Sequence, residues 1–209
     1  MGRATTPEEE KYDLMYQQEM LLNDKQILNL KNNIDPFVPE VIRKNEREEP
    51  VISYGLASFA YDLRLSDKDF KIFDRYAGGC SFADPKDFNE ELIKTVRLVD
   101  NYFLIPAHTY ALGTTLERIK MPNNICGLVQ GKSTYARVGL MVNVTPIEPS
   151  WEGHITLEFF NAGERPLKVY AGEGIVALQF YQGEKPDICY QVRNGKYQNQ
   201  DEKVEFAKC

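Results

Sequence analysis

The chain has 209 residues, 43% apolar and 27% charged, with a formal net charge of −6. That composition describes a globular domain with a sizeable core rather than a disordered chain. The acidic balance argues against a general nucleic-acid binder, no apolar run approaches the ~20 residues of a membrane span, and the charged N-terminus is no signal peptide. A cytoplasmic protein with neither nucleic-acid nor membrane partners is expected.

Residues 1–20 are polar and charged and read as a frayed or loosely helical extension before a domain of residues 21–209. The stretch "LLNDKQILNLKNN" predicts a short helix. Asn23 can cap it, Gln26 stands at the capping-box position, and Leu21, Leu22, Ile27, Leu28 and Leu30 supply an apolar side. "IDPFVPEVIRKNEREEP", broken by three prolines, predicts an extended connection. From residue 51 short β-branched or aromatic runs alternate with Gly, Pro, Asn and Asp: "ASFAYDLRLS", "FKIFD", "TVRLVD", "YFLIPAHTYALGTTLERIKMP", "NICGLVQG", "LMVNV", "HITLEFFN", "PLKVYAGEGIVALQFYQ" and "DICYQV". Such spacing predicts an all-β barrel or sandwich, with one more helical turn in "DPKDFNEELIK". Four scattered cysteines (Cys80, Cys126, Cys189, Cys209) form no CxxC pair and read as free thiols. His108 and His154 stand alone, so both read as structural residues rather than zinc ligands.

Two stretches carry chemistry. Gly131-Lys132-Ser133 are the closing letters of a phosphate-binding P-loop, but the required earlier glycine is Cys126. The following "VGLMVNV" is Val-rich and closed by Thr145-Pro146, which favours a strand where a P-loop needs a helix. What remains is a glycine turn bearing Lys132, the hydroxyls of Ser133 and Thr134, and Arg137, which are phosphate-binding groups without that scaffold. In "GHITLEFFN", Ile155, Leu157 and Phe159 point one way, and His154, Thr156, Glu158 and Phe160 the other. Glu158 is thus an acid in the middle of an apolar strand. Spacing leaves two readings open: an exposed glutamate on a solvated face, or a partly buried carboxylate suited to passing protons near neutral pH.

The segment "GKSTYARVGLMVNVTPIEPSWEGHITLEFFNAGERPL" closely resembles the centre of the dCTP deaminases, trimeric relatives of dUTPase. "IDPFVP", "SYGLASFAYDLRLS", "FLIPAHTYALGTTLERIKMP", "YAGEGIVALQF" and "GKYQNQ" extend the likeness over residues 21–200. The resemblance implies a mainly β, dUTPase-like distorted barrel or jelly roll with a short N-terminal helix, assembled as a homotrimer with shared active sites. It implies that Lys132, Ser133, Thr134, Tyr135, Ala136 and Arg137 hold the nucleotide. Lys132, Ser133 and Thr134 would lie at phosphate or the catalytic centre, and Arg137 against the base in a site shared with a neighbouring subunit. Glu158 matches the family's catalytic glutamate, and the Thr156-Leu157 backbone would read the pyrimidine edge. Glu148 stands where relatives usually carry Asp and would contact the deoxyribose side. Tyr190, Lys196 and Gln200 match tail residues that close over the triphosphate, while the contact near Ala177 and Gln179 is left unassigned.

The implied reaction is zinc-independent hydrolysis of dCTP to dUTP and ammonia, which would supply dUTP for thymidylate synthesis. Mg²⁺ would be bound through the triphosphate. The H-x-E and P-C-x-x-C pattern of zinc deaminases is absent, so a carboxylate must move the proton. Glu158 would do so, with Ser133 orienting the water and Arg137 tuning the charge. Two alternatives stand beside it: a bifunctional deaminase–diphosphatase giving dUMP, with Glu148 activating water at the α-phosphate, and a non-catalytic nucleotide-binding regulator on the same fold. A dUTPase alone would leave Glu158 without a role.

Overall fold

The computed structural model describes Thr6, residues 21–74, Ala77 and residues 82–208. The expected N-terminal extension, apart from Thr6, lies outside the described residues, as do Cys80 and Cys209. Helix α1 (Asp24–Leu28) begins with the capping box read from the sequence. Gln26 N–H donates to Asn23 Oδ1 at 3.2 Å and Asn23 N–H to Gln26 Oε1 at 2.9 Å. The helix is shorter than expected: Asn29 caps it and Lys31–Asn33 turn as a 3-10 segment, because the asparagines that follow are poor helix formers.

Twelve strands follow: β1 (Ile34–Asp35), β2 (Ile42–Lys44), β3 (Pro50–Leu56), β4 (Tyr61–Phe73), β5 (Ile93–Thr95), β6 (Tyr102–Ile105), β7 (Tyr110–Lys120), β8 (Ile125–Gly131), β9 (Leu140–Asn143), β10 (Glu152–Asn161), β11 (Leu167–Tyr170) and β12 (Gly174–Gln182). Ten of them form one branched sheet along the path β2-β3-β4-β7-β10-β9, with β1 on β7, β5 on β4, and β12 bridging β4 and β8. β6 and β11 pair separately. The branching comes from β4. Its first residues pair with β3 and β12, and past an irregularity between Leu65 and Phe70 its remainder pairs with β7 and β5. Between these surfaces Phe70 stacks on Phe103 at 4.6 Å and on Phe159 at 5.7 Å, all three essentially inaccessible to water. Each such burial contributes about 1.5–3 kcal/mol.

The mainly β expectation holds, with corrections in detail. "DICYQV" forms turns rather than a strand; Tyr190 N–H there donates to the Pro149 carbonyl at 3.1 Å and so is held by a loop. "TVRLVD" contributes only Thr95 to a strand, ending in a Val99–Tyr102 bridge. Two long runs break where the backbone turns left-handed, at His108 (φ 53°) and at Gly172 (φ 74°). "DPKDFNEELIK" makes a 3-10 turn at Glu90–Leu92, capped by Asn89. The "KSTYAR" segment was expected as a simple glycine turn. It instead makes one helical turn, α2 (Ser133–Ala136), before β9.

A charged pair is built into this core. Arg64 on β4 donates to Glu117 on β7 through its backbone N–H at 2.8 Å and through Nε at 2.7 Å. The Glu117 side chain is fully buried and that of Arg64 is 14% exposed. Burial pushes the Glu117 carboxyl up, against the opposing pull of Arg64. Removing one partner leaves the other charge uncompensated, so Glu117→Ala is expected to lower the unfolding free energy by about 3–5 kcal/mol in urea denaturation. A loss below about 1 kcal/mol would show that the pair is not held as described.

Candidate active site

The alternation predicted for β10 is realised residue by residue. Gly153, Ile155, Leu157, Phe159 and Asn161 are buried, while His154, Thr156, Glu158 and Phe160 are half-buried. β7 pairs along one edge of β10 and β9 along the other from Glu158 to Asn161, which fixes the outward face in position and leaves the second edge at Thr156 and Leu157 outside that ladder. That face opens on a cavity of about 370 Å³ whose lining includes Glu148, Thr156, Glu158, Tyr190 and Gln200. Five residues chosen from the sequence therefore meet in one place.

The carboxylate of Glu158 accepts a 2.6 Å hydrogen bond from Asn143 Nδ2. Across the cavity wall Tyr110 is pushed up to about 12 by burial and, secondarily, by Glu158, so its phenol stays a proton donor at neutral pH. Glu148 is half-buried and ion-paired with Arg193, whose guanidinium also lies 5.1 Å from the Tyr190 ring centroid. The aromatic wall is Tyr110, Phe73, Phe88 and Phe206, with Phe88 and Phe206 stacked at 5.0 Å.

The C-terminal segment closes one side. Gln200 is 6% exposed, and its Nε2 donates to Thr156 Oγ1 at 3.2 Å. The approach is possible because Gly153 (φ 147°) has no side chain: a Cβ there would lie 2.7 Å from Gln200 N. Trp151 Nε1 donates to the Tyr197 carbonyl at 2.8 Å, and Glu205 N–H to Thr156 Oγ1 at 3.4 Å, which brings Glu205 and Phe206 to the cavity.

Other residues chosen from the sequence lie elsewhere. Lys132, Ser133, Thr134, Tyr135, Ala136 and Arg137 do not line this cavity. Ser133, Thr134, Ala136 and Arg137 are exposed around α2. Lys132, expected at phosphate, donates to Asp62 and, at 3.2 Å, to Ser53 Oγ, with side chains only 11% and 12% exposed for Lys132 and Asp62. Its charge is compensated on its own chain. Tyr135 is 3% exposed and its hydroxyl accepts from Tyr170 N–H at 2.9 Å, so that side chain anchors α2. The Leu157 side chain is likewise in the core and leaves only backbone for recognition. Lys196 is exposed and donates to the Lys208 carbonyl at 3.0 Å. Asn143, Tyr110, Trp151, Phe88 and Phe206 were not chosen from the sequence. The histidines have protein partners: His154 Nδ1 lies 3.1 Å from the Thr115 carbonyl and His108 Nε2 3.0 Å from Glu164.

Comparison with known proteins bears on this geometry. The dCTP deaminase-like family model matches residues 21–183. The chain is 42% identical over 170 residues to a dCTP deaminase of Psychrobacter sp. strain PRwf-1, covering 80% of this chain and 86% of that one. It is 44% identical over 172 residues to a dCTP deaminase of Acidobacterium capsulatum, covering 82% and 88%. Among solved structures, the 2'-deoxycytidine 5'-triphosphate deaminase of Agrobacterium tumefaciens is similar with a TM-score of 0.55 at 17% identity, a likeness of fold. It covers 80% of this chain and 49% of that one, so this chain spans about half its length.

Thr156 joins strand and C-terminal segment, and Thr156→Val removes the shared acceptor at nearly constant volume. Hydrogen exchange across residues 198–207 is expected to speed up roughly 3- to 10-fold, the scale of a hydrogen bond worth about 1 kcal/mol. Unchanged exchange there would show that the other ties hold the segment alone.

Proposed function

The chain belongs to the dCTP deaminase-like family, and on that premise we propose that it hydrolyses dCTP to dUTP and ammonia. The observation that carries this reading is the meeting of Glu148, Thr156, Glu158, Tyr190 and Gln200 around one cavity. The base enters against β10, where the Thr156-Leu157 backbone reads its edge. Water adds to C4 while Glu158 takes its proton and delivers it to N3. Glu158 then moves the hydroxyl proton to the amino group, C4–N breaks, ammonia leaves and the C4 carbonyl forms. Positioned proton transfer of this kind is worth roughly 10²–10⁴-fold.

A triphosphate needs cations, and among the described residues lining the cavity there is no Lys or Arg, while Glu148, Glu158 and Glu205 are present. This supports a site completed by a second copy of the chain, whose exposed Ser133, Thr134 and Arg137 reach the nucleotide. We propose the homotrimer as the assembly that does this, with Lys132 holding the start of α2 through Asp62. Mg²⁺ suits the triphosphate oxygens and arrives with the substrate, where it neutralises phosphate charge. Among the described residues no three His, Cys, Asp or Glu side chains gather as a metal site, and no zinc is invoked.

A second reading, diphosphatase activity carrying the product on to dUMP, is favoured by one observation: Glu148 shares the cavity with Glu158. Chromatography of a dCTP and Mg²⁺ incubation separates the two, since dUTP alone supports the first and dUMP the second.

Glu158→Gln keeps size and most hydrogen bonds but cannot carry a proton. Turnover of dCTP is expected to fall roughly 10²-fold or more with binding retained; near-parental turnover would overturn the mechanism.

Shared sites have their own signature. Co-expressed Glu158→Gln and Arg137→Ala chains, each inactive alone, should regain activity in about one quarter of sites on random mixing, since one chain supplies each intact group. No recovery in isolated mixed oligomers would place both groups on the same chain's site.

A further inference from the structure

We propose that Asn143 is a positioning residue for Glu158: its side-chain amide holds one carboxylate oxygen, leaving the other to carry the proton. The inference rests on Glu158 being the proton carrier. β9 runs antiparallel to β10 with Asn143 directly opposite Glu158, and direct cross-strand partners share a face. Asn143 Nδ2 donates to Glu158 Oε2 at 2.6 Å, a charge-assisted contact. Among the described hydrogen bonds none reaches Oε1. An amide suits this task because its NH₂ neither gains nor loses a proton while Oε1 is protonated and deprotonated. The same strand end leads into Val144–Glu148, which line the cavity, so the clamp stands at its edge.

Asn143 is exposed, and the hydrogen bond adds little to folding. Its effect falls on the carboxylate. The groups facing Glu158 are Tyr110 from β7, Glu148, Tyr190, Tyr197 and Glu205 around the cavity, and His154 farther along β10. Of these only the two glutamates add like charge, and both are ion-paired, Glu148 with Arg193 and Glu205 with Lys208. The donor fixes which carboxylate oxygen is held and which is free, so losing it lets the carboxylate turn and costs turnover rather than binding.

The experiment is the measurement of kcat and KM for dCTP in the full chain and in Asn143→Ala and Asn143→Asp. Asn143→Asp keeps the shape but replaces the donor with a like charge. Both variants should lose about 10-fold or more in kcat with KM changed less than about 3-fold. Melting temperatures close to the parent's would locate the effect at the site. A parental kcat in both variants overturns the inference, as does a raised KM at unchanged kcat, which would make Asn143 a substrate contact. A parent that does not deaminate dCTP instead overturns the proposed function, and full turnover by Glu158→Gln overturns its mechanism; either removes this inference with it.

Discussion

β10 pairs with β7 along one edge and, from Glu158 to Asn161, with β9 along the other, and its residues alternate between buried and half-buried along its length. This one constraint places the chemistry. Leu157 and Phe159 are committed to the core, and that commitment turns Thr156 and Glu158 toward the cavity. β7 brings Tyr110 to the same face, β9 brings Asn143, and the loop after β9 brings Glu148. A register shift of one residue would turn an acid into the core and a leucine outward, a cost far greater than any single contact at the site could offset.

Charge follows a similar division. Two cations are paired internally, Lys132 with Asp62 and Arg64 with Glu117. The cavity itself is acidic and aromatic, while the exposed arginine and hydroxyls sit around α2, away from it. The C-terminal segment is held to the cavity by Trp151, Thr156 and the side-chain-free Gly153. Site and segment thus share the same strand.

Much of this could be read in the sequence because it depends on local rules. The capping box at Asn23 and Gln26 needs only four consecutive residues, and the alternation of β10 only a period of two. What could not be read depends on partners distant in sequence. Nothing near Lys132 announces Asp62, since the two meet only when α2 packs beside β3 and β4. Nothing near Tyr135 announces Tyr170 either, whose backbone N–H its hydroxyl accepts, so the anchoring of α2 is equally hidden. "DICYQV" has strand composition yet finds no strand beside it, and composition alone cannot supply a pairing edge.

β4 belongs to both parts of the branched sheet, pairing through Asp62 and Leu63 with β12 and through Phe70 to Ile72 with β7. Neither part can therefore open without tearing a strand of the other, which makes them one cooperative unit in unfolding. The pairings that close the unit join segments from opposite ends of the domain, such as Leu63 with Val176, so their loops must be closed before those contacts stabilise anything. A chain of this topology folds slowly for its size, because its decisive strand waits for a partner that comes late in the sequence.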